Sequence, residues 1–260
     1  MSELDYIDDH SWLMKGDCLE RMKEIPDGSI DLILTDPPYG TTACKWDTIV
    51  PFDKMWEQSN RIIKPNGAIV LFANQPFTSA LVMSNPSIFK YQWVWNKIKA
   101  SGHLNAKIQP MSQHEDILVF GKYKLNYYPQ GIIMGVFKNN RPAKSNHKLD
   151  TVYGKATEHG VSKIGNYPKT IVEFSKPNDR QRLHPTQKPV PLLEYLIKTY
   201  TLEDESVLDF TMGSGSTGVA AKNLNRKFIG IEMDDKYYDI AVNRINGEIL
   251  TAPESDDKLE

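Results

Sequence analysis

Short apolar runs alternate with amphipathic stretches along the first third of the chain. The run at 30–35 is apolar at almost every position, which predicts a strand buried on both faces. Apolar positions at helical spacing follow at 52–63, and the sequence Lys-Pro-Asn-Gly at 64–67 ends that helix. The predicted elements of this part are strands at 12–17, 30–35 and 68–72 and helices at 18–25 and 52–63. This order is typical of βαβ units.

The same alternation returns in the last third of the chain. The predicted elements there are helices at 190–201, 217–224 and 237–245 and strands at 206–210 and 227–232. Further strands are predicted at 91–95 and 117–120, whereas residues 122–183 are rich in Asn, Gly, Lys and Tyr and have weak periodicity. We therefore predict a doubly wound α/β sheet formed by residues 1–98 and 184–260, with an irregular inserted region at 99–183.

Composition is that of an ordinary globular protein, with 40% hydrophobic and 25% charged residues. No apolar run approaches the roughly 20 residues of a membrane-spanning helix, so we expect no membrane partner. The acidic N-terminal segment lacks an apolar core followed by small residues, which argues against a secretory signal. The chain has only two cysteines, Cys18 and Cys44, which suits a reducing compartment, and we expect the protein in the cytoplasm.

Charge is unevenly distributed, although the formal net charge is only -2. Residues 96–189 carry 16 basic and 6 acidic side chains, a charge of +10, whereas the rest of the chain carries 15 and 27, a charge of -12. A cationic middle within an acidic frame favours a polyanionic partner. The charge count alone would equally fit a solvated lysine-rich surface.

A glycine-rich loop at 209–218, Asp-Phe-Thr-Met-Gly-Ser-Gly-Ser-Thr-Gly, joins a predicted strand to a predicted helix. Glycines at such a turn let backbone amides approach a ligand closely. Glu232 ends the next strand, where a carboxylate can accept hydrogen bonds from both hydroxyls of a ribose. The combination favours a nucleoside-containing ligand over a plain tight turn. The loop lacks the spacing of a triphosphate-binding loop, so we read no ATP site from it.

The sequence Asp36-Pro37-Pro38-Tyr39 directly follows the buried strand at 30–35. The prolines hold the backbone extended and have no amide hydrogen, which leaves the carbonyl of Pro37 as an acceptor beside the carboxylate of Asp36. The two acceptors can hold both hydrogens of an exocyclic amino group, and the ring of Tyr39 offers a stacking face for a flipped-out base. By itself the tetrapeptide would also fit an ordinary turn with a surface tyrosine.

A third block, His-Pro-Thr-Gln-Lys-Pro at 184–189, precedes the last helix before the glycine loop. Shorter matches are Gly-Asp at 16–17, Trp-Asn-Lys at 95–97 and Glu-Asp-Ile-Leu-Val-Phe at 115–120. On these ordered motifs the chain resembles the amino-DNA methyltransferases of the permuted β class, which methylate adenine N6 or cytosine N4. In that class Asp-Pro-Pro-Tyr precedes the glycine loop, and the resemblance covers nearly all of the chain except its basic middle.

The resemblance implies a Rossmann-like S-adenosylmethionine-dependent methyltransferase sheet with an inserted DNA-recognition region. It places Asp17 at the cofactor adenine, Glu232 on the ribose, and Lys188 near the methionine carboxylate. The predicted cofactor-binding residues are Asp17, Cys18, Asp36, Thr186, Lys188, Phe210, Gly213, Ser214, Gly215, Ser216, Thr217, Glu232 and Met233. The predicted catalytic residues are Asp36, Pro37, Pro38 and Tyr39.

Direct methyl transfer is the expected reaction. An amino nitrogen conjugated with its ring is a poor nucleophile, so Asp36 and Pro37 should accept its hydrogens and aim its lone pair at the methyl group. We expect no metal, because the six histidines lack ligand spacing, and no Pro-Cys nucleophile is present for a cytosine ring carbon. The chain has Phe210-Thr211 where the family often has Pro-Phe. Trp46 fits the base pocket or simple packing equally well.

Aspartate at the first position of the tetrapeptide favours adenine, since many cytosine-N4 enzymes have serine there. The predicted function is site-specific adenine-N6 methylation of double-stranded DNA in the cytoplasm of a bacterial or virus-infected cell. A cytosine-N4 enzyme and a non-catalytic DNA-binding subunit of the same fold are the alternatives. A homodimer and a cognate restriction endonuclease stay open as partners, and the recognition sequence cannot be read from residues 99–183.

Overall fold

The computed structural model describes residues 5–40, 48–138, 161–177, 183–184 and 186–248, with the backbone alone for 134–138 and 161–164. Two compact units are present. The larger consists of the residues up to Tyr128 and from Thr170 onward, and the smaller of Pro129–Lys169. Among the described helices, none has the length and apolar character that crossing a membrane requires.

The larger unit contains nine described strands and six described helices. The strands are β1 (Tyr6–Ile7), β2 (Ser11–Lys15), β3 (Ile30–Thr35), β4 (Ile63–Ala73), β5 (Phe89–Ser101), β6 (Ser112–Phe120), β9 (Ile171–Glu173), β10 (Ser206–Asp209) and β11 (Lys227–Glu232). The helices are α1 (Cys18–Arg21), α2 (Phe52–Ile62), α3 (Phe77–Ser84), α4 (Val190–Tyr200), α5 (Ser216–Asn223) and α6 (Asp235–Ile245). The smaller unit contains the antiparallel strands β7 (Ile133–Lys138) and β8 (Val161–Gly165).

The strands of the larger unit form one sheet in the order β1-β2-β11-β10-β3-β4-β6-β5-β9. Strands β2, β11, β10, β3 and β4 are parallel neighbours, and β6 is antiparallel to both β4 and β5. This arrangement confirms the predicted doubly wound α/β sheet. The strand before the glycine loop, β10, is the fourth in this order and lies between β11 and β3.

Both faces of the sheet are covered by helices, which explains the continuous apolar run in β3. Successive side chains of a strand point to opposite faces. Leu32 and Leu34 join the apolar core that contains residues of α4, α5 and α6, whereas Ile33 joins the core that contains residues of α2 and α3. All six residues of β3 are buried. The larger unit therefore has three layers, and its middle strands have no solvent-facing side.

Strand β2 lies near the beginning of the described chain and pairs in parallel with β11, which lies near its end. Leu13 is opposite Gly230, and the amide of Gly16 donates to the carbonyl of Glu232 at 2.9 Å. The hydroxyl of Tyr238 in α6 also donates to the carbonyl of Leu13 at 3.0 Å. The N-terminal part of the chain therefore supplies a strand beside the one that ends in Glu232.

The boundaries of the predicted insertion differ from the structural ones. Strand β6 lies within residues 99–183, yet it is a strand of the main sheet between β4 and β5, and Ile117 to Phe120 are fully buried. Strand β9 adds to the edge of the same sheet. Ile117 and Val119 of β6 belong to one core and Leu118 and Phe120 to the other, as expected for a strand inside a sheet that is covered on both faces. The separate unit is limited to Pro129–Lys169, and its role in target recognition stays a prediction.

Candidate active site

The carboxyl ends of the parallel strands meet at one edge of the sheet, which is where open α/β sheets hold their ligands. A cavity of about 470 Å³ lies at this edge. Asp36 follows β3 into the cavity, Asp209 ends β10 there, and Glu232 ends β11. The turn after β2 contributes Gly16 and Asp17. Motifs that are distant in the sequence therefore line one cavity.

The glycine loop passes twice through backbone conformations that favour glycine. Gly213 has a φ of 51° and Gly215 a φ of 76°, and Gly215 is the residue that precedes α5. A β-carbon on Gly215 would lie 3.0 Å from the β-carbon of Ala241 in α6. Arg244 of α6 donates from Nη1 to the carbonyl of Ser214 at 3.0 Å. The loop is therefore held tightly against α6.

Backbone amides hold the carboxylate of Glu232. Its Oε2 accepts from the amide of Gly213 at 2.9 Å, and its Oε1 accepts from the amides of Met233 and Asp234, each at 2.9 Å. Burial raises the pKa of Glu232, and the three amides partly offset this rise. The position of this carboxylate thus depends on the main chain of two neighbouring turns.

The first turn of α1 adds a second acid and a thiol to the cavity. Asp17 caps the helix through Oδ1, which accepts from the amides of Leu19 at 2.9 Å and Glu20 at 3.2 Å. Burial, helped by the charge of Asp17, raises the pKa of the Cys18 thiol to about 12. Cys18 is therefore a neutral, weakly polar wall residue at neutral pH and not a nucleophile.

The carboxylate of Asp36 is held by side chains. The hydroxyl of Tyr39 donates to Asp36 Oδ1 at 2.5 Å, and the ammonium group of Lys188 donates to Oδ2. The ring of Tyr39 stacks on Phe77 of α3, with ring centroids 5.0 Å apart and planes inclined by 29°. The tetrapeptide thus orients its own carboxylate, with help from a lysine that is 152 residues away in the chain.

Lys188 belongs to a chain of four alternating charges, formed by Lys97, Glu115, Lys188 and Asp36, which we call the four-charge chain. Lys188 Nζ lies 3.3 Å from Glu115 Oε2, and Lys97 Nζ lies 2.5 Å from Glu115 Oε1. The side chains of Lys97 and Lys188 are only 6% and 9% exposed. Lys188 Nζ also lies 4.9 Å from the ring centroid of Phe72. The resemblance predicts Lys188 near a methionine carboxylate, and its ammonium group here contacts two protein carboxylates.

Burial and mutual pairing set the protonation of this chain. Burial raises the pKa of Asp36, and the ammonium group of Lys188 offsets only part of that rise. Burial would also raise the pKa of Glu115, but the two lysines hold it below its ordinary value. Burial alone would lower the pKa of Lys188, and its two carboxylate partners raise it instead. Lys188 is therefore charged, and its charge favours the ionised form of Asp36.

Threonine hydroxyls connect the two motif halves. Thr35 and Thr217 donate to the two oxygens of Asp209, each at 2.6 Å. Thr211 lies 2.7 Å from the Thr35 hydroxyl and donates to the carbonyl of Asp36 at 3.2 Å. Burial raises the pKa of Asp209 to about 6. Threonine at 211, where the resembled family often has phenylalanine, thus gives a polar link between the glycine loop and the tetrapeptide.

The third block of the sequence forms another wall. The ring of His184 packs edge-on against Tyr237 of α6, with centroids 4.2 Å apart. Its Nδ1 lies 3.2 Å from the amide and 3.0 Å from the hydroxyl of Thr186. Burial lowers the pKa of His184 to about 4, so the ring is neutral at neutral pH. His184 is therefore a neutral ring that packs into the wall of the cavity.

The structure brings the predicted site residues together. All four predicted catalytic residues line the cavity, and so does every predicted cofactor-binding residue except Gly215. The two sequence neighbours of Gly215 both line it. Trp46 and Pro185 lie outside the described residues. Wall residues that lie outside every motif of the sequence analysis are Leu19, Thr48, Ile49, Val50, Pro51, Phe72, Leu193, Ile231, Asp234 and Tyr237. Glu115 and Lys97 were matched only as parts of short motifs, and no local pattern in β5 or β6 indicates that they pair.

Comparison with known proteins gives a consistent result. Residues 30–243 match the DNA methylase family of N6 and N4 methyltransferases. The chain is 27% identical to the type II methyltransferase M.HpaI of Haemophilus parainfluenzae, covering 95% of this chain and 78% of that protein. It is 28% identical to the DNA adenine methyltransferase YhdJ of Escherichia coli, covering 90% and 82%.

Solved structures agree with this result. The crystal structure of an M1.HpyAVI–SAM complex is 26% identical and has a TM-score of 0.63, with 91% of this chain and 99% of that chain covered. The PvuII cytosine-N4-specific DNA methyltransferase is 18% identical and has a TM-score of 0.65, with 94% and 95% covered. The second likeness establishes a common fold only.

Proposed function

The chain belongs to the DNA methylase family and is an S-adenosylmethionine-dependent DNA methyltransferase, and from this premise we propose that it methylates the N6 amino group of adenine at a specific sequence in double-stranded DNA. One observation carries the proposal. The tetrapeptide that begins at Asp36 and the loop that contains Gly213 line the same cavity. An amino-group acceptor and a nucleoside-binding loop are the two parts that such a reaction needs.

The cavity fits the methyl donor. Its volume of about 470 Å³ falls within the roughly 300–1,000 Å³ of small-molecule sites. Carboxylates of Asp17, Asp36, Glu232 and Asp234 line it, which suits a ligand that carries a sulfonium cation. Glu232 Oε2 accepts a single amide and keeps a lone pair for a ribose hydroxyl. S-adenosylmethionine supplies an electrophilic methyl group when it is bound here.

The protein's own contribution is orientation and charge. Asp36 and the carbonyl of Pro37 are proposed to accept the two hydrogens of the target amino group, so that the nitrogen lone pair is directed at the methyl group. Tyr39 and Lys188 fix the plane of the Asp36 carboxylate before the base arrives. The amino group loses a proton after it has gained the methyl group, and Asp36 is the nearest acceptor in the proposal.

Adenine is favoured over cytosine by the aspartate at position 36, and the relative YhdJ carries adenine methylation in its name. The target base must leave the duplex to reach the cavity, which costs a few kcal/mol. We propose that the basic segment 99–183, including the unit Pro129–Lys169, contacts the DNA backbone and reads the sequence.

Three finer expectations belong to the same proposal. The names of M.HpaI and similar relatives, type II methyltransferases, support a cognate restriction endonuclease. A homodimer is expected from the family, and light scattering of the purified protein tests it. A cytoplasmic location follows if the substrate is the DNA of a bacterial cell.

The reaction can be tested directly. The purified protein is incubated with methyl-labelled S-adenosylmethionine and DNA from a methylation-deficient bacterial strain, and the nucleosides are then analysed by mass spectrometry. Labelled N6-methyladenine is the expected product. Labelled N4-methylcytosine would preserve the site assignment and contradict the choice of base. If the protein bound the cofactor and left the DNA unlabelled, a non-catalytic DNA-binding subunit would replace the proposal.

A further inference from the structure

The four-charge chain extends from the cavity into the sheet. Asp36, at one end, lines the cavity, and Lys97, at the other, lies on β5. The side chain of Glu115, on β6, is 15% exposed and bridges the two lysines. The charges alternate in sign, so the four groups together carry no net charge.

Strand pairing fixes this geometry. Glu115 of β6 is directly opposite Trp95 of the antiparallel β5, and Lys97 lies two residues further along β5, on the same face as Trp95. Glu115 is therefore presented by a paired strand in the middle of the sheet, whereas Lys188 lies in the segment before α4. A carboxylate on so rigid an element can act as a fixed anchor for the ammonium group of Lys188.

Stability alone is a poor reason for such a chain. Buried ion pairs lose most of their attraction to desolvation, and apolar replacements are often as stable. Asp36 and Lys188 both line the cavity, and Asp36 is the member of the chain for which a direct role in catalysis is proposed. Glu115 and Lys97 are suited to fixing the position of Lys188 and the amount of positive charge that acts on Asp36.

We propose that Glu115 is a positioning residue for methyl transfer: it anchors the ammonium group of Lys188 against Asp36, while Lys97 balances its charge. The inference rests on the proposed function, in which Asp36 accepts the hydrogens of the target amino group. Without the anchor, Lys188 has one carboxylate partner instead of two and no longer holds Asp36 Oδ2 in a fixed direction. Glu115 therefore acts on the reaction through Lys188 and does not touch the substrate.

Charges of opposite sign surround Asp36, so removing one or the other should shift its pKa in opposite directions. Titratable and charged groups of every neighbouring element act on Asp36 or on its partners: Tyr39, Lys97, Glu115, Asp116, His184, Lys188 and Asp209. The negative charge of Glu115 raises the pKa of Asp36. Removing that charge lowers the pKa of Asp36, and removing the positive charge of Lys97 raises it.

The experiment measures the pH dependence of single-turnover methyl transfer to DNA from a methylation-deficient strain, using the full chain. The acid limb of this pH–rate profile is the fall in rate at low pH, where Asp36 becomes protonated. In Glu115→Gln the acid limb should move to lower pH, and in Lys97→Met it should move to higher pH, each by roughly half a unit to one unit. The plateau rate of Glu115→Gln should fall about 10- to 100-fold because a small misplacement of reacting groups costs that much. The dissociation constant of S-adenosylmethionine, from calorimetry, should change by a smaller factor than the plateau rate.

Asp31→Asn is the matched control. Asp31 is a buried acid of β3 that pairs with Lys64 at 2.7 Å, at the end of the strand remote from the cavity. This substitution should reduce thermal stability without moving the acid limb. If the substitutions act only by a general loss of packing, the acid limbs of Glu115→Gln and Lys97→Met should both stay in place or both move in the same direction. Either result would overturn the proposal.

Two additional variants complete the design. Where a single variant does not fold, the charge-balanced double variant Lys97→Met with Glu115→Gln carries the test. It should restore the acid limb and keep the low plateau, and a wild-type plateau would refute the anchor. Asp36→Asn separates the two hypotheses. If Asp36→Asn transfers methyl groups at the wild-type rate, the proposed function itself fails. If Asp36→Asn is inactive but the acid limbs of Glu115→Gln and Lys97→Met do not move, only the role of Glu115 is contradicted.

Discussion

Glu232 and Asp36 line the same cavity, but the protein holds these two carboxylates by different means. Glu232 accepts from three backbone amides that belong to its own turn and to the glycine loop. Asp36 accepts from the side chains of Tyr39 and Lys188, and Lys188 depends in turn on Glu115. Backbone donors cannot be removed by changing a neighbouring side chain. Glu232 should therefore tolerate substitutions around it, whereas Asp36 should be sensitive to residues that never reach the substrate.

The two carboxylates also differ in the charges that surround them. Neutral amides partly offset the burial of Glu232 and leave its pKa above the ordinary value. The environment of Asp36 instead contains full charges of both signs, which act over longer distances than amide dipoles. In its proposed role, Glu232 binds a neutral ribose and needs only a fixed place. Asp36, in its proposed role, takes part in the chemistry and also needs a controlled charge.

The largest effect is expected at Asp36. Asp36→Ala should lower the rate of methyl transfer at least about 10³-fold, the scale on which the loss of one electrostatic contact acts in preorganised active sites. The dissociation constant of S-adenosylmethionine should stay within about fivefold because the amide-held Glu232 is untouched. A single-turnover assay with calorimetry separates the two quantities. Turnover close to that of the wild type would remove Asp36 from the reaction.

Asp209 extends the comparison to a carboxylate held mainly by hydroxyls. Its pKa is raised to about 6 by burial, so the native state binds the proton more tightly than the unfolded chain. The stabilisation that it contributes is present below the ordinary pKa near 4 and is lost as pH rises through about 6, which amounts to about 3 kcal/mol. Asp209→Asn removes this titration, and its threonine partners can turn to accept from the amide.

Urea unfolding between pH 4 and pH 7 tests this expectation. The free energy of unfolding of the wild type, relative to Asp209→Asn, should decrease as the pH increases. A difference that is constant over the range would mean that Asp209 titrates alike in both states. The same measurement on Glu115→Gln serves as a comparison, because the pKa of Glu115 is lowered and its contribution is lost in the opposite direction.

The smallest effect is expected at Glu232. Glu232→Ala should weaken binding of S-adenosylmethionine about 10- to 100-fold, the scale of one hydrogen bond to a charged group. The rate at saturating cofactor should change only a few-fold, since Asp36 and Lys188 keep their partners. Calorimetry over a range of cofactor concentrations gives the affinity. An unchanged affinity would show that the ribose lies elsewhere.

Local patterns account for what the sequence predicts well. The strands at 30–35 and 227–232 and the loop of Gly213 and Gly215 are specified by apolar runs and by turn residues within a few positions. Parallel strands then bring their carboxyl ends to one edge, so the meeting of Asp36 and Glu232 follows from the strand order. For these features, composition and spacing carry enough information.

Long-range register accounts for what the sequence does not predict. The contact of Lys188 with Asp36 spans 152 residues, and that of Lys188 with Glu115 requires β6 to lie between β4 and β5. No local signal fixes either. Helix α3 was also missed, because its apolar and hydroxyl residues do not form the one-sided pattern of an amphipathic helix.

The strand order determines when the enzyme becomes active during its synthesis. The ribosome releases β2 and β3 first, but β10 and β11, which fill the space between them, come more than 170 residues later. Until then the nascent chain holds Asp36 without the glycine loop that lines the same cavity. A chain that stops before residue 232 therefore lacks part of the wall of this cavity. We expect methyl transfer only from chains that extend through β11.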